Sequence, residues 1–328
     1  MTQKISIAVL GAGSWGTALA VLLAENGHDV RLWDIDTDNL ARMRDDRVNQ
    51  KYLPNASFPD NLTVVDDLAK ALADVRDVLS VVPSHAFEKS LNACKPHFSD
   101  TIRLAWATKG MDHQQSRLIS DVAKDVLGND VPLAVISGPS FAKEVGSKQP
   151  TAVNCASTHA DFAADLVGYF QSERFFVRVV DDMIGVQLAG TLKNIIAIAT
   201  GISDGLGFGM NTRCAVMTQG LQEMMQLGET LGAKRDTFMH LAGVGDLVLT
   251  CSDDQSRNRR FGLALAEGIS IEDAEQKIGQ VVEGKFNAQS AHELAQKHGL
   301  HLSLLGWVYK LLQGHVKVQS ILEVFKKF

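Results

Sequence analysis

Only four cysteines occur in 328 residues, Cys94, Cys155, Cys214 and Cys251, and none forms a C-x-x-C pair or stands at ligand spacing from a histidine. That scarcity speaks against a zinc site or a disulfide framework, so no metal is assigned, and it fits the reducing cytoplasm. Positive charge is also short. Lys and Arg total 32 against 38 Asp and Glu, a formal net charge of −6, which excludes a general nucleic-acid surface built of clustered cations. No uninterrupted apolar run approaches the roughly eighteen residues of a bilayer span. The best candidate, Ile195 to Ile202, is short and contains Gly201, so no membrane insertion is expected. The N-terminus passes from Lys4 into an apolar strand pattern and a glycine turn, which cleavage of an export signal would destroy. There is no internal repeat and no low-complexity tract.

What is present is organised around Ile5 to Asp34. Ile5, Ile7, Ala8, Val9 and Leu10 read as a buried strand, Gly11-Ala12-Gly13-Ser14-Trp15-Gly16 as a tight turn, and Thr17 to Ala24 as a helix that Gly27 ends. Val30 to Trp33 reads as a second strand and delivers Asp34 twenty-three residues after Gly11, where a dinucleotide fold needs a carboxylate for the adenosine ribose. Each glycine has a reason. Gly11 permits the sharp turn, Gly13 lets a pyrophosphate approach the backbone, and Gly16 lets helix and strand pack closely above the N–H groups of the helix terminus. Asp34 and Asp36 repel a 2′-phosphate, and Ile35 offers it no charge. The cofactor expected is NAD, with NADP disfavoured.

Further on, Thr37 to Arg47 reads as a charged helix and Lys51 to Asn61, with two prolines, as a loop. Strands follow at Asp77–Val82, Ile102–Ala107, Val131–Ile136 and Thr151–Cys155, with helices at Ser116–Leu127 and His159–Phe170. Near Asp182 the β-branched runs give way to helical spacing, at Ile184–Ile202, Thr212–Leu231, Ala288–His298 and Ser303–Gln313. The pattern therefore predicts a Rossmann-type, doubly wound, mostly parallel α/β sheet over 1–181 and an all-α domain over 182–328. The first should bind the dinucleotide, and the second the substrate.

Ligands of such sheets bind beyond the carboxyl ends of the strands, which singles out Val82-Pro83-Ser84-His85, Ala107-Thr108-Lys109-Gly110 and Ser137-Gly138-Pro139-Ser140-Phe141-Ala142-Lys143-Glu144. Lys109 alone could be a solvated strand-end lysine. In the helical half, Lys193 and Asn194 interrupt an apolar helix, where a lysine is costly unless it is paired or lies on a narrow exposed face. Asp246 sits between Gly245 and an apolar run, as a carboxylate or a simple helix cap, and Ser256-Arg257-Asn258-Arg259-Arg260 is either a phosphate clasp or a solvated loop.

Together these stretches resemble the bacterial type of NAD(P)-dependent glycerol-3-phosphate dehydrogenase, over nearly the whole chain. The motifs that carry the resemblance are Gly11–Gly16, Val82–His85, Ala107–Gly110, Ser137–Glu144, Leu192-Lys193-Asn194, Gly245-Asp246-Leu247 and Ser256–Arg259. The resemblance implies reversible reduction of dihydroxyacetone phosphate to sn-glycerol 3-phosphate, for phospholipid synthesis, by a homodimer. It makes Lys193 the general acid and base, charged at an ordinary lysine pKa of about 10.4, with Asp246 orienting it and Lys109, Asn194 and Thr250 holding the reacting oxygens. Gly138, Ser140, Ser256, Arg257 and Asn258 join Lys109, Lys193 and Asp246 around the substrate. Ser14, Trp15, Ala142, Val281 and Glu283 match positions that touch the cofactor, as do Lys109 and Arg257. Ile35 departs from the Arg or His common in that family, and Met210 from its Asp before Asn211-Thr212. Two other readings remain at this point: a two-domain dehydrogenase for another phosphorylated or carboxylated molecule, and a non-catalytic NAD(H) sensor.

Overall fold

A computed structural model describes residues 4–326. Its organising element is the predicted one. Strand β1 (Ser6–Leu10), the glycine turn and helix α1 (Ser14–Glu25) lead into β2 (Asp29–Trp33). β1 has Ile7, Ala8, Val9 and Leu10 almost fully buried, as befits a central parallel strand with both faces covered. The remaining strands of the main sheet are β3 (Leu62–Val65), β4 (Asp77–Ser80), β5 (Arg103–Trp106), β6 (Leu133–Ser137), β7 (Thr151–Ser157) and β8 (Phe175–Val179). Among the described residues they form one eight-stranded sheet in the order β8-β7-β6-β5-β4-β1-β2-β3, parallel throughout except where β7 runs antiparallel to β6.

Helices α2 (Thr37–Asp46), α3 (Leu68–Leu72), α4 (Phe87–Cys94), α5 (Ile119–Leu127), α6 (Ala142–Gly146) and α7 (Ala160–Phe170) accompany these strands. Several strands lie outside the expected pattern. β3 and β8 are short edge strands, and the expected loop over 51–61 contains one strand, Leu53–Ser57, of a small antiparallel pair with Val48–Asn49. The pair forms in spite of Pro54 because it is isolated from the main sheet, while Leu53 and Ala56 reach the core. At the N-terminal edge of the sheet, Arg103 is buried in a bidentate pair with Asp77, at 2.5 and 2.9 Å, and also meets Asp165 at 2.6 Å.

The second half is helical: α8 (Met183–Gly205), α9 (Met210–Thr230), α10 (Asp246–Ser252), α11 (Arg257–Ala266), α12 (Ile271–Ile278), α13 (Glu283–Lys297), α14 (Ser303–Leu312) and α15 (Leu322–Phe325). α8 is long and apolar enough to cross a membrane by length and composition, which the sequence reading, taking only uninterrupted apolar residues, did not register. Here it is the axis of a protein core. Every residue from Gly185 to Ser203 is buried.

The chain separates into two compact units, one of residues 1–108 and 120–183 and the other of 109–119 and 184–328. The segment 109–119, expected within the first domain, therefore groups with the helical unit. It forms a short hairpin, Met111–Asp112 with Arg117–Leu118, where a helix beginning at Ser116 was expected.

Candidate active site

In the sheet unit the glycine turn has the geometry of a phosphate cradle. Gly11 takes φ +104°, and a Cβ there would lie 2.9 Å from the Val81 carbonyl carbon; at Gly16 it would lie 1.8 Å from the Gly11 oxygen. Both are held by backbone packing. Gly13, by contrast, would place a Cβ in open space, and as N-cap of α1 it has no side chain to bond the first helical N–H groups at Ser14, Trp15 and Gly16. Open backbone with free donors is what a pyrophosphate requires. Asp34 turns back toward it: Oδ2 accepts the Ala12 N–H at 2.6 Å and Oδ1 the Asp36 N–H at 2.9 Å. This fixes the carboxylate while leaving lone pairs for a ribose hydroxyl. The residues present fit a dinucleotide. Ile35, at the tip, is 80% exposed.

Also in this unit, a Cβ on Gly138 would meet Val153 Cα at 2.8 Å, and the Ser140 hydroxyl donates to the Gly138 carbonyl at 2.8 Å. Ala142 opens α6.

The helical unit holds the chemistry. Lys193 projects from the buried middle of α8 and donates through Nζ to Asp246 Oδ1 at 2.6 Å and to Thr250 Oγ1 at 2.8 Å. Asp246 and Thr250 stand one turn apart on α10, which starts directly after a π-helical turn over Leu241–Gly245. The Thr250 hydroxyl gives its own proton to the Asp246 carbonyl at 2.6 Å, so its lone pairs are what Lys193 meets. Lys109 reaches the other carboxylate oxygen, Oδ2, at 2.8 Å. One buried carboxylate thus bridges two ammonium groups, a surplus of positive charge suited to a polarised carbonyl oxygen.

That environment changes Lys193. Burial disfavours its charged form, Asp246 opposes the effect and the like charge of Lys109 adds to it, so the pKa falls to about 8 rather than the ordinary value expected from the sequence. A lysine poised near neutrality exchanges protons far more readily than one held above 10.

The other site candidates separate into smaller groups. Asn194 does not join the Lys193 cluster: its Oδ1 accepts from Asn258 Nδ2 at 2.9 Å, its Nδ2 donates to its own helix at Gly190 O, and Asn258 Oδ1 accepts the Gly284 N–H at 2.9 Å. Ser256 caps α11 through the Arg259 N–H. The basic run is divided, because Arg259 is held by Asp204 and Asp254, whereas Arg257, half-buried, bonds at 3.3 Å to Gln280, the residue before Val281. Glu283 is the first residue of α13 and the first-turn acid of that helix.

Some participants escape the sequence reading. Gln280 as partner of Arg257 has no signal of its own. Gly284 does have one in its place at a helix start: a Cβ there would lie 2.6 Å from Asn194 O and 2.8 Å from Asn258 Oδ1. Gly201-Ile202-Ser203-Asp204-Gly205 matches the pattern of a serine-nucleophile elbow, yet it lies within α8, and its glycines serve to let α11 approach. Nothing in the structure explains Met210, which opens α9 and is largely exposed. Among the described residues no group of three or more His, Cys, Asp or Glu could hold a metal.

Family models for the N-terminus and the C-terminus of NAD-dependent glycerol-3-phosphate dehydrogenase match residues 6–163 and 182–323. The chain belongs to that dehydrogenase family. Among its relatives, a glycerol-3-phosphate dehydrogenase [NAD(P)+] of Yersinia pestis (strain Pestoides F) is 51% identical over 315 residues, 96% of this chain and 93% of that protein. The crystal structure of glycerol-3-phosphate dehydrogenase from Coxiella burnetii superposes with a TM-score of 0.96 at 49% identity, covering 99% of both chains. That of the Saccharomyces cerevisiae enzyme gives 0.85 at 25% identity over 98% of this chain and 99% of its own. A ketopantoate reductase from Ralstonia eutropha, at 15% identity and a TM-score of 0.61, shares the fold alone. Membership therefore rests on both halves of the chain, the dinucleotide turn and Lys109 falling inside the first matched segment and Lys193 and Asp246 inside the second.

Proposed function

We propose that this dehydrogenase interconverts dihydroxyacetone phosphate and sn-glycerol 3-phosphate, supplying phospholipid synthesis, and that it prefers NADH. The observation that carries the reading is the Lys193–Asp246–Lys109 cluster, in a chain whose relatives at 51% identity are named for that activity. When bound, the reduced nicotinamide supplies the hydride. The protein's part is to manage the oxygen. Lys193 donates its proton to the carbonyl oxygen as it becomes an alkoxide and takes it back in the reverse direction; Asp246 aims Lys193; Lys109 adds positive charge; and Thr250 fixes the Lys193 rotamer. Arg257, Asn258 and Ser256 receive the phosphate, with Asn194 holding the Asn258 amide in place. Gly138 and Ser140 complete the substrate residues. Gly11, Gly13, Ser14, Trp15, Gly16, Asp34 and Ala142 bind the cofactor, with Lys109, Arg257, Val281 and Glu283.

The NADH preference rests on Asp34, Asp36 and the exposed Ile35, which present negative and apolar groups where a 2′-phosphate needs cations. The test is oxidation of NADH, and separately of NADPH, with dihydroxyacetone phosphate. NADH should give the higher kcat/KM, and Asp34→Gly with Ile35→Arg should move the ratio toward NADPH by about tenfold or more. Faster turnover of wild type with NADPH would overturn the preference; silence with both, in folded protein, would overturn the substrate.

We further propose a cytoplasmic homodimer. The thiols support the location, since all four cysteines are free. Of the C-terminal apolar residues, Ile321 and Val324 pack inside while Leu322 is 48% exposed; light scattering of the purified protein reads the mass directly.

A further inference from the structure

Lys109 follows a strand of the sheet unit in sequence, yet its ammonium lies on a carboxylate of the helical unit, and the chain that runs on from it belongs to that unit too. Two residues beyond it starts the hairpin Met111–Leu118. Met111 is fully buried and pairs with Leu118, Asp112 pairs with Arg117 through backbone register and a 3.1 Å ion pair, and Asp112 Oδ1 accepts the Gln114 N–H in the turn. The hairpin is therefore a small body with its own internal ties.

It is fastened to α13 by its turn residues. Ser116, buried and with φ +50°, donates its hydroxyl to Glu293 Oε2 at 2.5 Å. His113 bonds Ser290 Oγ at 3.2 Å through Nδ1 and lies against the Phe286 ring, the centroids 5.3 Å apart. A serine in the left-handed region is uncommon and persists when its surroundings hold it there. Phe286, Ser290 and Glu293 fall on one stripe of α13 at helical spacing, so the turn is gripped at successive points along one helix face.

We propose that the hairpin 111–118 is a latch that positions Lys109: Ser116 and His113, fixed on Glu293 and Ser290, hold the adjoining segment so that the Lys109 ammonium stays on Asp246. The proposal rests on the reading of Lys193, Asp246 and Lys109 as the reacting cluster. The latch side chains bond α13, and they act on that cluster through Lys109. The charged and titratable groups that face Lys193 are Asp246 and Cys251 from α10 and Lys109 from the latch segment. The Cys251 thiol, buried and pushed up to about 12, stays neutral. Of the three, only Lys109 is carried by the hairpin, and its positive charge pulls the Lys193 pKa down. Releasing it lets that pKa rise.

The test compares Glu293→Ala, Ser116→Ala, Glu293→Gln and Lys109→Met across pH, with circular dichroism to establish folding. Glu293→Ala and Ser116→Ala should lower kcat for dihydroxyacetone phosphate reduction about tenfold and move the alkaline limb of kcat to higher pH, as Lys109→Met does. Glu293→Gln keeps an oxygen that accepts the Ser116 hydroxyl and should restore wild-type behaviour. In the Lys109→Met background the latch substitutions should add nothing, because residues acting through one another are not additive. Folded latch variants with a wild-type pH profile, or losses that add to those of Lys109→Met, would overturn the latch while leaving the reacting cluster intact. Wild-type turnover in Lys109→Met would instead overturn the assignment of Lys109 to the cluster, and the latch with it.

Discussion

A buried cluster of opposite charges in the sheet unit and the lysine cluster of the helical unit are built to different ends. In the sheet unit, Arg103 and Arg76 face Asp77 and Asp165, two cations against two anions, with Tyr169 donating to Asp77 at 3.0 Å. In the helical unit, Lys193 and Lys109 share Asp246 alone. Burial by itself would lower the Arg103 guanidinium, yet bonds to Asp77 and Asp165 override it and hold the pKa above its ordinary value. Lys193 lies deeper in its unit and moves the other way, to about 8. The difference lies in depth of burial, stoichiometry and side-chain type. Matched charges and a planar fork keep a guanidinium protonated, whereas one carboxylate short and a flexible amine produce a group able to give up a proton.

Substitutions can widen or erase that contrast. The largest effect is expected at Lys193: Lys193→Ala should lower kcat about a thousandfold or more while cofactor binding, followed by NADH fluorescence, is retained. If binding and turnover fell together, the residue would be structural like Arg103. Next comes Arg103→Met, which strands Asp77 without its partner and should cost about 3–5 kcal/mol in urea unfolding, with little change in KM for the protein that remains folded. Adding Asp77→Leu should recover much of that loss, since an apolar replacement of both partners removes the unpaired charge. An Arg103→Met variant as stable as wild type would show the balanced cluster to be dispensable.

The smallest effect is the most diagnostic. Lys193 has a lower pKa folded, about 8, than in the unfolded chain, about 10.5. Between those values the unfolded chain binds more protons, so stability contributed by this group rises as pH rises. Unfolding in urea at pH 8 and pH 10 should show that gain in wild type and a flatter dependence in Lys193→Met. An identical slope in both would mean that Lys193 is not titrating where its surroundings place it.

The two units also differ in how far they can be read from the sequence. The turn at Gly11–Gly16 and its distal Asp34 are legible because both lie within thirty residues and obey a fixed spacing, and the long helices announce themselves by period. Lys193 is legible as an anomaly, a lysine in an apolar helix, but its partner lies 53 residues away and its pKa is set by burial that no spacing encodes. The hairpin at 111–118 was hidden because its anchors, Ser290 and Glu293, are 177 residues distant. Edge strands Leu62–Val65 and Phe175–Val179 are faint in the sequence for a simpler reason: four or five residues with partial exposure carry too little alternation to stand out. Asn194 was grouped with its neighbour Lys193, but adjacent residues on a helix point about 100° apart, and the amide faces Asn258 instead.

The glycines between α8 and α11 bear on how this enzyme can change over generations. A Cβ on Gly201 would lie 2.1 Å from the Arg259 carbonyl oxygen, and one on Gly262 the same distance from that of Ile198. Main chain meets main chain there, with no side chain between to be trimmed or lengthened by degrees. The separation of these two helices therefore admits no small step. The helix that carries Lys193 is thus inherited as a fixed coordinate, and diversification has to occur around it.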